Sequence, residues 1–560
     1  MPRAIWKTAL FLLAALATSC GQPPAEQSEP SPSPPSEKPE IKLVATIVID
    51  MLRADAVANH RPRLGEGGFA RLIEQGVWYH DAKFPYATTL TAVGHASIHT
   101  GGTPADHGIV GNYWFDRRTH EVIKSVEGPD PSDQQARLDG PMQLTSTTVG
   151  DELSLASGDR SRVFSVSIKD RGAILPGGYR GKAFWYSVQT GGFTTSRFYY
   201  PAGEPAWLAD WNGAEPADRY RNRAWELLAD RAGYVRRHED DRPEEKPYNE
   251  PFGRTAAFPH TLEGLEGEEL YRQLPYTPFG DELTMELALE ILQQEKLGKG
   301  EHVDLLAVSF SATDYIGHAW GPASLEYEDN LLRLDALLAR FFEAIDEAVG
   351  LEHTLIALTS DHGVDMIPEY RQRLGLPAGR IDPADFARVI DAALQQEHGT
   401  DLPFAVGFRN PSVYLNLETV AKLGLDIAEV EADAARAVMT IDGIAAAVTR
   451  SDLLAGRVPD SRLMRTLKVA FHPARSGNVL VLQEPFWFLY HSHDQDSAMH
   501  GAPYEYDTHV PLFFAGPGIE PRTVDRPVTP LDVAPTISRI LGIARPSGCR
   551  GEVLVEVLGD

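Results

Sequence analysis

Four short apolar runs, each followed by polar side chains that can bind ions, constrain the fold of this chain more than any other feature. Residues 41–50 (IKLVATIVID), 162–168 (RVFSVSI), 303–310 (VDLLAVSF) and 354–360 (TLIALTS) are nearly continuous apolar or β-branched stretches. Such runs are typical of parallel strands buried on both faces. Because helical patterns alternate with them, the sequence predicts a doubly wound, mostly parallel α/β sheet with a ligand site at the carboxyl ends of its strands.

The segments between these runs predict one long helix and two large insertions. Apolar residues spaced three and four apart from Tyr327 to Val349 predict an amphipathic helix that ends at Gly350. Residues 180–300 are rich in Trp and Tyr and then in charge, which indicates an insertion at one edge of the sheet. Residues 364–495 combine helical stretches with a strand-like NVLVLQ, and we expect them to form a small α+β cap.

The N-terminal region carries export signals. Positive residues precede an apolar run at 9–17 that is too short to span a bilayer, and the sequence ATSC ending at Cys20 resembles a bacterial lipoprotein processing box. Residues 1–20 are therefore predicted to be a signal peptide with a lipidated Cys20, and an ordinary cleaved signal peptide is the alternative. Residues 21–40 hold seven prolines and predict an extended tether. Residues 41–560 would then form the folded domain, exported to the periplasm or anchored to the outer membrane.

The acidic balance excludes one class of partner. A formal net charge of −27 argues against nucleic acid, because contacts to its phosphates need clustered Lys and Arg. A small phosphorylated substrate is compatible with this charge, since bound cations reverse the local sign. Membrane contact is expected only through a lipid on Cys20, and acylation there would leave Cys549 without a partner for an intrachain disulfide.

Acidic and histidine residues follow three of the four apolar runs. Asp50 ends the first run, Asp314 and His318 follow the third, and Asp361 and His362 follow the fourth. Taken alone, each of these residues is explained as a helix cap or as part of a polar loop. Because the carboxyl ends of parallel strands meet at one edge of a sheet, their joint occurrence predicts a metal site there. Asp and His in equal measure favour zinc.

A sixth ligand is expected from the histidine-rich loop HSHDQDSAMHGAP. His500, which directly precedes Gly501, is the preferred candidate, and His493 is the alternative. Asp314 and His318 are four residues apart and would share one face of a helical turn. This spacing suits two ligands of one ion.

The stretch from Tyr86 to Asn112 is crowded with hydroxyls, glycines and histidines, and it predicts a loop that turns into a helix near Thr91. A threonine there is most often a helix cap. The free amides of a first helical turn also form an anion site, and a threonine hydroxyl becomes a nucleophile when a metal lowers its pKa. Thr88 and Thr89 are rival hydroxyls, and chemistry alone leaves the choice open. Asn112 is either a turn residue or a donor to a substrate oxygen.

Two cations, Lys169 and Arg171, follow the second apolar run. Cations at the exit of a strand usually belong to a solvated loop. At a sheet edge that binds an anionic substrate, they would instead stabilise its negative charge. These two residues alone do not decide between the two interpretations.

Several separated motifs resemble those of the alkaline phosphatase superfamily. In chain order they are VIDMLRAD, TTLTAVGHASIHTG, GIVGN, SIKDRGA, DYIGH, TSDHG and MHGAPYEYDTHVP, and they span most of the chain from residue 41 onward. The pattern is most similar to the bacterial phosphate-irrepressible alkaline phosphatases, which use a threonine in place of a serine nucleophile. The resemblance implies an alkaline phosphatase-like fold.

The resemblance also implies a role for each residue that matches a motif. Thr91, which stands where the family's nucleophile precedes a Gly-His pair, would attack the substrate and form a phosphothreonine intermediate. Asn112, Lys169 and Arg171 would contact the phosphoryl oxygens. Two zinc ions would be bound, one by Asp314, His318 and His500 and the other by Asp50, Asp361 and His362.

The implied activity is hydrolysis of a broad range of small phosphate monoesters to inorganic phosphate. A monoester carries one more negative charge on its phosphoryl group than a diester, so Lys169 and Arg171 favour the monoester. The alternatives are a phosphodiesterase or nucleotide pyrophosphatase of the same superfamily, and a binding lipoprotein that has lost catalysis. A sulfatase is disfavoured, because its Cys-x-Pro-x-Arg type motif is replaced by TAVGH at Thr91.

Overall fold

The structure is a computed structural model that describes residues 40–130, 132–237, 240–245, 257–490 and 496–558. The predicted signal peptide with Cys20 and the tether up to residue 39 lie outside these ranges, as does the alternative ligand His493. Among the described residues, no helix is both long enough and apolar enough to cross a membrane.

A nine-stranded mixed sheet forms the centre of the fold. Five neighbouring strands are mutually parallel, and strands in antiparallel pairing flank them on both sides. The order across the sheet is β9-β2-β8-β7-β1-β6-β3-β4-β5. In chain order the strands are β1 (Leu43–Ile49), β2 (Val77–Lys83), β3 (Val163–Ser167), β4 (Lys182–Tyr186), β5 (Phe193–Thr194), β6 (Asp304–Phe310), β7 (Thr354–Thr359), β8 (His509–Ala515) and β9 (Arg522–Val524).

The predicted mostly parallel sheet is confirmed. The four apolar runs form β1, β3, β6 and β7, and every residue of these strands is buried. They are neighbours, with β1 between β7 and β6. Ile49 of β1 pairs with Phe310 of β6, and Val48 pairs with Thr359 of β7. This register ends the three strands at one level, so the residues that follow them meet at the same edge.

Helices cover both faces of the sheet, as the doubly wound arrangement requires. Alternating side chains of β1 separate two apolar cores, with Ile47 and Ile49 in one and Val44 and Val48 in the other. The first core also contains side chains of three helices: Pro278–Gln294, α3 (Ala312–Trp320) and α4 (Leu325–Ala348). The second core contains side chains of three others: α1 (Thr91–Thr100), α2 (Asp170–Gly177) and Val533–Leu541.

Helix α4 is the amphipathic helix that the sequence predicts, shifted by one or two residues at each end. Ser324 caps it by accepting a hydrogen bond from the backbone N–H of Tyr327 at 3.0 Å. Leu331, Leu338 and Phe342 of its apolar face are all 0% exposed. Burial of this stripe against the sheet, rather than helix propensity alone, stabilises the helix.

A smaller antiparallel sheet of four strands has its own apolar core. The strand-like NVLVLQ segment forms one of its strands, and the helical stretch near residues 418–439 is two helices separated at Gly424, whose φ of +65° suits glycine. Where the two insertions begin and end stays a prediction. The strands are Ala405–Arg409, Ser412–Leu415, Ile444–Thr449 and Val479–Gln483, with helices Pro383–His398, Leu417–Lys422 and Ile427–Val438 beside them.

Candidate active site

The first group of candidate ligands lies inside the protein at the edge where β1 and β7 end. We call it the closed cluster: Asp50, Asp361 and His362, each 0% exposed. Nε2 of His362 lies 3.5 Å from Oδ1 of Asp50 and 3.5 Å from Oδ2 of Asp361. Adjacent parallel strands therefore deliver three candidate ligands, two aspartates and one histidine, to one point.

The turn after β1 fixes this cluster. Met51 has a φ of +66°, which is uncommon for a residue with a side chain, and it is 0% exposed. Its backbone N–H donates to Oδ1 of Asp361 at 3.2 Å, and the N–H of Leu52 donates to Oγ of Ser360 at 2.9 Å. These two hydrogen bonds join the ends of β1 and β7, so Asp50 and Asp361 are held together by the backbone.

The second group adjoins the first and is more accessible. We call it the open cluster: Asp314, His318 and His500. Asp314 and His318 lie one turn apart on α3, with Nε2 of His318 3.4 Å from Oδ1 of Asp314. Nε2 of His500 lies 3.8 Å from the same oxygen. The His318 side chain is 16% exposed, so this cluster faces the solvent side of the site.

Each histidine of the two clusters is oriented by a backbone carbonyl. Nδ1 of His318 contacts the carbonyl oxygen of Ala498 at 2.7 Å, and Nδ1 of His500 contacts that of Thr89 at 2.7 Å. Nδ1 of His362 contacts the carbonyl oxygen of Gly363 at 3.0 Å. A carbonyl only accepts, so Nδ1 carries a proton and Nε2 is the ring nitrogen directed at the carboxylates. This is the arrangement of metal-binding histidines.

The two clusters fit divalent metal ions. Among the described residues, Oδ1 of Asp50 and Oδ1 of Asp314 are buried and receive no hydrogen bond. Such oxygens are costly to bury unless a cation compensates them. Ligand atoms of a tetrahedral zinc site lie about 3.4 Å apart, because each is about 2.1 Å from the ion. The distances of 3.4 to 3.8 Å within the clusters are close to this value.

Thr91 is the first residue of α1 and is 1% exposed. Its Oγ1 lies 3.5 Å from Nε2 of His362 and 3.4 Å from Nζ of Lys169. The rival Thr89 is engaged elsewhere, since its hydroxyl donates to the carbonyl oxygen of Ala502 at 3.0 Å. The hydroxyl of Thr88 is buried and has no hydrogen-bond partner among the described residues. Of the three threonines, Thr91 is the one whose hydroxyl contacts the closed cluster.

Helix α1 can approach the closed cluster because residue 94 is glycine. A Cβ atom at Gly94 would lie 2.3 Å from the carbonyl oxygen of Asp361, well inside van der Waals contact. The next residue, His95, contacts groups of the site through both ring nitrogens. Its Nε2 contacts Oγ of Ser309 at 2.8 Å, and its Nδ1 lies 2.9 Å from the Thr91 carbonyl oxygen and 3.3 Å from Oδ2 of Asp361.

Lys169 lies between the two clusters, which the sequence did not predict. Its Nζ is 2.7 Å from Oδ2 of Asp50 and 2.5 Å from Oδ2 of Asp314, and the residue is 5% exposed. Arg171 follows in the first turn of α2, and its Nε has no hydrogen-bond partner among the described residues. Both cations therefore belong to a buried site and not to a solvated loop.

Asn112 is positioned by α1. Its Oδ1 accepts a hydrogen bond from the backbone N–H of Ala92 at 2.9 Å. This bond uses the acceptor of the side chain and leaves the NH2 group as the part that can donate to a substrate oxygen. The arrangement is compatible with the predicted role of Asn112 as a donor.

The electrostatics of the site are dominated by buried carboxylates. Burial, together with Asp314 and Asp361, raises the pKa of Asp50 well above its ordinary value. Burial also acts to raise the pKa of Asp314, but Lys169 and His318 outweigh it and hold that pKa well below its ordinary value. Burial acts to lower the pKa of Lys169, but Asp314 and, to a smaller extent, Asp50 outweigh it and raise that pKa. One ammonium cannot neutralise three carboxylates, so the site favours further cations.

Asp507 is a supporting residue that the sequence reasoning missed. It is 0% exposed, and its Oδ2 accepts hydrogen bonds from the N–H groups of Gly501 and Ala502 at 2.9 and 2.8 Å. Its backbone carbonyl accepts from the N–H of Gly363 at 2.7 Å. Asp507 thus connects the loop that carries His500 to the turn after the closed cluster. Its place within the motif MHGAPYEYDTHVP was the available signal.

The comparisons with known proteins identify the family of this chain. The model of the type I phosphodiesterase / nucleotide pyrophosphatase family matches residues 44–503. The chain belongs to this family. Its predicted membership of the alkaline phosphatase superfamily is thereby confirmed, and the family match includes all ten predicted site residues.

Relatives of this family member match over nearly their whole lengths. Alkaline phosphatase PhoV of Synechococcus elongatus is 34% identical over 98% of this chain and 98% of its own. Alkaline phosphatase PafA of Elizabethkingia meningoseptica is 32% identical over 93% of this chain and 95% of its own. The alkaline phosphatase-like fold that the sequence predicts is therefore the expected one for the family.

Two crystal structures of PafA superpose on this family member. The wild-type structure gives a TM-score of 0.84 at 30% identity and covers 93% of this chain and 99% of its own. The second structure is of a variant substituted at one threonine, one asparagine, one lysine and one arginine, with the same TM-score of 0.84. The likeness confirms the predicted fold.

Proposed function

We propose that this protein is a metal-dependent phosphate monoester hydrolase that acts through Thr91. The observation that carries the proposal is the position of the Thr91 hydroxyl, at the first turn of a helix and within 3.5 Å of both His362 and Lys169. A helix N-terminus supplies backbone N–H groups to an anion, and Lys169 adds a full positive charge beside it. Relatives named alkaline phosphatases, which match nearly the whole chain, support the same activity.

The residue types substituted in the PafA variant also support the proposal. That variant changes a threonine, an asparagine, a lysine and an arginine. The sequence separation from the threonine to the asparagine equals that from Thr91 to Asn112, and the separation from the lysine to the arginine equals that from Lys169 to Arg171. The same four residue types thus recur here around one buried site.

The roles of the chain's own residues follow from these positions. Thr91 Oγ1 would attack the phosphorus, and the bond to the alcohol would break, which gives phosphothreonine and the free alcohol. Asn112 and Arg171 would donate hydrogen bonds to the phosphoryl oxygens. Water would then cleave the phosphothreonine to inorganic phosphate and restore the Thr91 hydroxyl.

We propose zinc as the metal in both clusters, with Asp50, Asp361 and His362 as one ligand set and the open cluster as the other. Two bound cations would supply Lewis acid chemistry, namely a lower pKa for the nucleophile and compensation of negative charge on the reacting oxygens. Three protein ligands in each set leave room for substrate and water, as in catalytic zinc sites. Metal analysis of the purified protein by mass spectrometry tests this, and fewer than about two zinc ions per chain would contradict it.

A second candidate activity is cleavage of phosphate diesters, which the description of the matching family favours. Lys169 and Arg171 argue for the monoester instead. A monoester dianion gains more from two fixed cations than a diester monoanion does. Hydrolysis of p-nitrophenyl phosphate and of bis-p-nitrophenyl phosphate, each with and without a chelator, distinguishes the two. Faster diester cleavage would overturn the proposal in favour of a phosphodiesterase.

The nucleophile assignment is tested by a matched pair of substitutions. Thr91→Val removes a hydroxyl beside the closed cluster, and we expect it to abolish phosphoenzyme formation and turnover. Thr88→Val removes a buried hydroxyl that has no partner among the described residues, so activity should persist. Mass spectrometry of an acid-quenched reaction would locate the phosphate. Phosphate trapped on a residue other than Thr91 would contradict the assignment.

We also propose that the protein is exported and lipidated on Cys20, on the support of the processing box that precedes that residue. Labelling of cells with radioactive palmitate should mark the wild type and not a Cys20→Ser variant. An unlabelled wild type that is still exported would favour the ordinary cleaved signal peptide.

A further inference from the structure

A cavity of about 550 Å³ adjoins the candidate active site. Asn112 and His500 line it, so it is continuous with the place where the phosphoryl group would bind. Its volume lies within the range of small-molecule pockets, about 300 to 1,000 Å³. The cavity is therefore large enough for the alcohol part of a phosphate ester.

The wall of this cavity is mainly apolar and aromatic. Phe408 and Leu489 come from the smaller sheet and its flank, and they are 7% and 9% exposed. Tyr113, directly after Asn112, is 47% exposed, so part of its ring is accessible to a ligand. Leu90, Tyr490 and Met499 complete this apolar wall.

The charged side chains at the cavity are engaged in local contacts. Asp382 accepts a hydrogen bond from the backbone N–H of Ala384 at 2.8 Å and so caps helix Pro383–His398. The guanidinium of Arg409 lies 4.7 Å from the centre of the Phe115 ring and donates to the carbonyl oxygen of Phe408 at 3.1 Å. The cavity thus offers apolar surface to a ligand and no cluster of like charge.

We propose that this cavity is the alcohol subsite of the enzyme, and that it selects phosphate monoesters with an uncharged apolar chain or ring as the alcohol part. The inference rests on the proposed monoester hydrolase activity. Its physical basis is burial of apolar substrate surface against Tyr113, Phe408 and Leu489, which stabilises the bound ester and the transition state alike. The preference should therefore appear in kcat/KM, mainly through KM.

Methyl phosphate and n-hexyl phosphate test the proposal, because the two alcohols have similar acidity and differ in apolar length. We expect a kcat/KM at least about tenfold higher for the hexyl ester, since each buried methylene contributes favourably. If methyl phosphate is hydrolysed and the hexyl-to-methyl ratio of kcat/KM is near one, the subsite proposal is wrong and the proposed function stands. No turnover of either ester would overturn the proposed function itself. Glycerol phosphate cleaved better than the hexyl ester would also overturn the subsite.

Two tyrosine substitutions test whether the preference for the hexyl ester depends on this cavity. Tyr113→Ser removes apolar surface from the cavity, and we expect it to lower the hexyl-to-methyl ratio of kcat/KM about threefold or more. Tyr179→Ser is the matched control, because Tyr179 is 42% exposed and does not line this cavity. A ratio that falls equally in both variants, or in neither, would contradict the assignment. Inhibition by inorganic phosphate should change less than the ratio in Tyr113→Ser, since phosphate does not reach the alcohol subsite.

Discussion

The closed and open clusters use the same residue types but differ in surroundings. Asp50, Asp361 and His362 are 0% exposed, and hydrogen bonds from the N–H groups after Asp50 to the side chains of Asp361 and Ser360 join the two strand ends. In the open cluster, the His318 side chain is 16% exposed, and His500 comes from a loop. The closed cluster is therefore less accessible to solvent than the open one.

The two clusters also differ in the pKa values of their histidines. Burial lowers the pKa of His362, so this imidazole is a neutral ligand at neutral pH. In His318 burial also acts to lower the pKa, but Asp314 and then Asp496 outweigh it and raise the pKa to about 9. A fully buried ligand set beside Thr91 suits activation of the proposed nucleophile, whereas the more accessible open cluster suits the side where alcohol and water exchange. Four substitutions test this comparison, in order of decreasing expected effect.

Asp361→Asn should have the largest effect, because it removes a buried ligand charge from the cluster beside Thr91. We expect kcat/KM for a phosphate monoester to fall by about four orders of magnitude, with loss of about one metal ion per chain. Steady-state kinetics and metal analysis check this. A loss of less than about tenfold would show that the closed cluster does not activate the nucleophile.

His318→Gln should reduce kcat/KM by about three orders of magnitude, less than the closed-cluster substitution, because it removes one partly exposed ligand of the open cluster. Brief treatment with a chelator should remove the open-cluster metal first and give a species with about one ion per chain. Metal content measured during the treatment checks the order of release. Simultaneous loss of both ions would contradict the difference in accessibility.

Gly94→Ala should reduce kcat/KM about a hundredfold, since a displacement of about 1 Å at a reacting group has effects of that size. The added methyl group would clash with the Asp361 carbonyl oxygen at 2.3 Å and move α1, with Thr91, away from the closed cluster. Gly213→Ala is the matched control, because a Cβ atom there meets no atom within 4 Å. Similar kinetics for the two variants would show that the close approach of α1 is dispensable.

Asp507→Asn should have the smallest effect, a decrease of about tenfold in kcat/KM. The asparagine keeps one side-chain oxygen that can accept hydrogen bonds from the N–H groups of Gly501 and Ala502, in the loop that carries His500. The readout that separates positioning from stability is metal affinity at the open cluster, which should fall while the closed cluster keeps its ion. A change in melting temperature with unaltered metal affinity would assign Asp507 to stability alone.

Much of the framework follows from the sequence. The four apolar runs are local signals, because a strand buried on both faces needs continuous apolar residues, and all four became strands of the central sheet within two residues at each end. The ligand types near the strand ends were equally visible, since Asp50 ends one apolar run, Asp361 directly follows another, and Asp314 comes four residues after Phe310.

Side-chain direction was not visible in the sequence. Thr88, Thr89 and Thr91 are chemically alike, and only the fold directs the hydroxyl of Thr89 to Ala502 and that of Thr91 to His362. The position of Lys169 between the clusters depends on how β3 and β6 are placed beside β1, which is a relation between distant segments.

The sequence by itself thus determined the sheet, the ligand chemistry and the motifs of the family, because these depend on local patterns of burial and on residue type. The tertiary structure decided which threonine hydroxyl contacts a cluster, which cluster is closed, and that Asp507 and the apolar cavity lie beside the site. These properties arise from strand order and register, which bring together residues as far apart as Asp50 and His362, and a local pattern does not encode such distances.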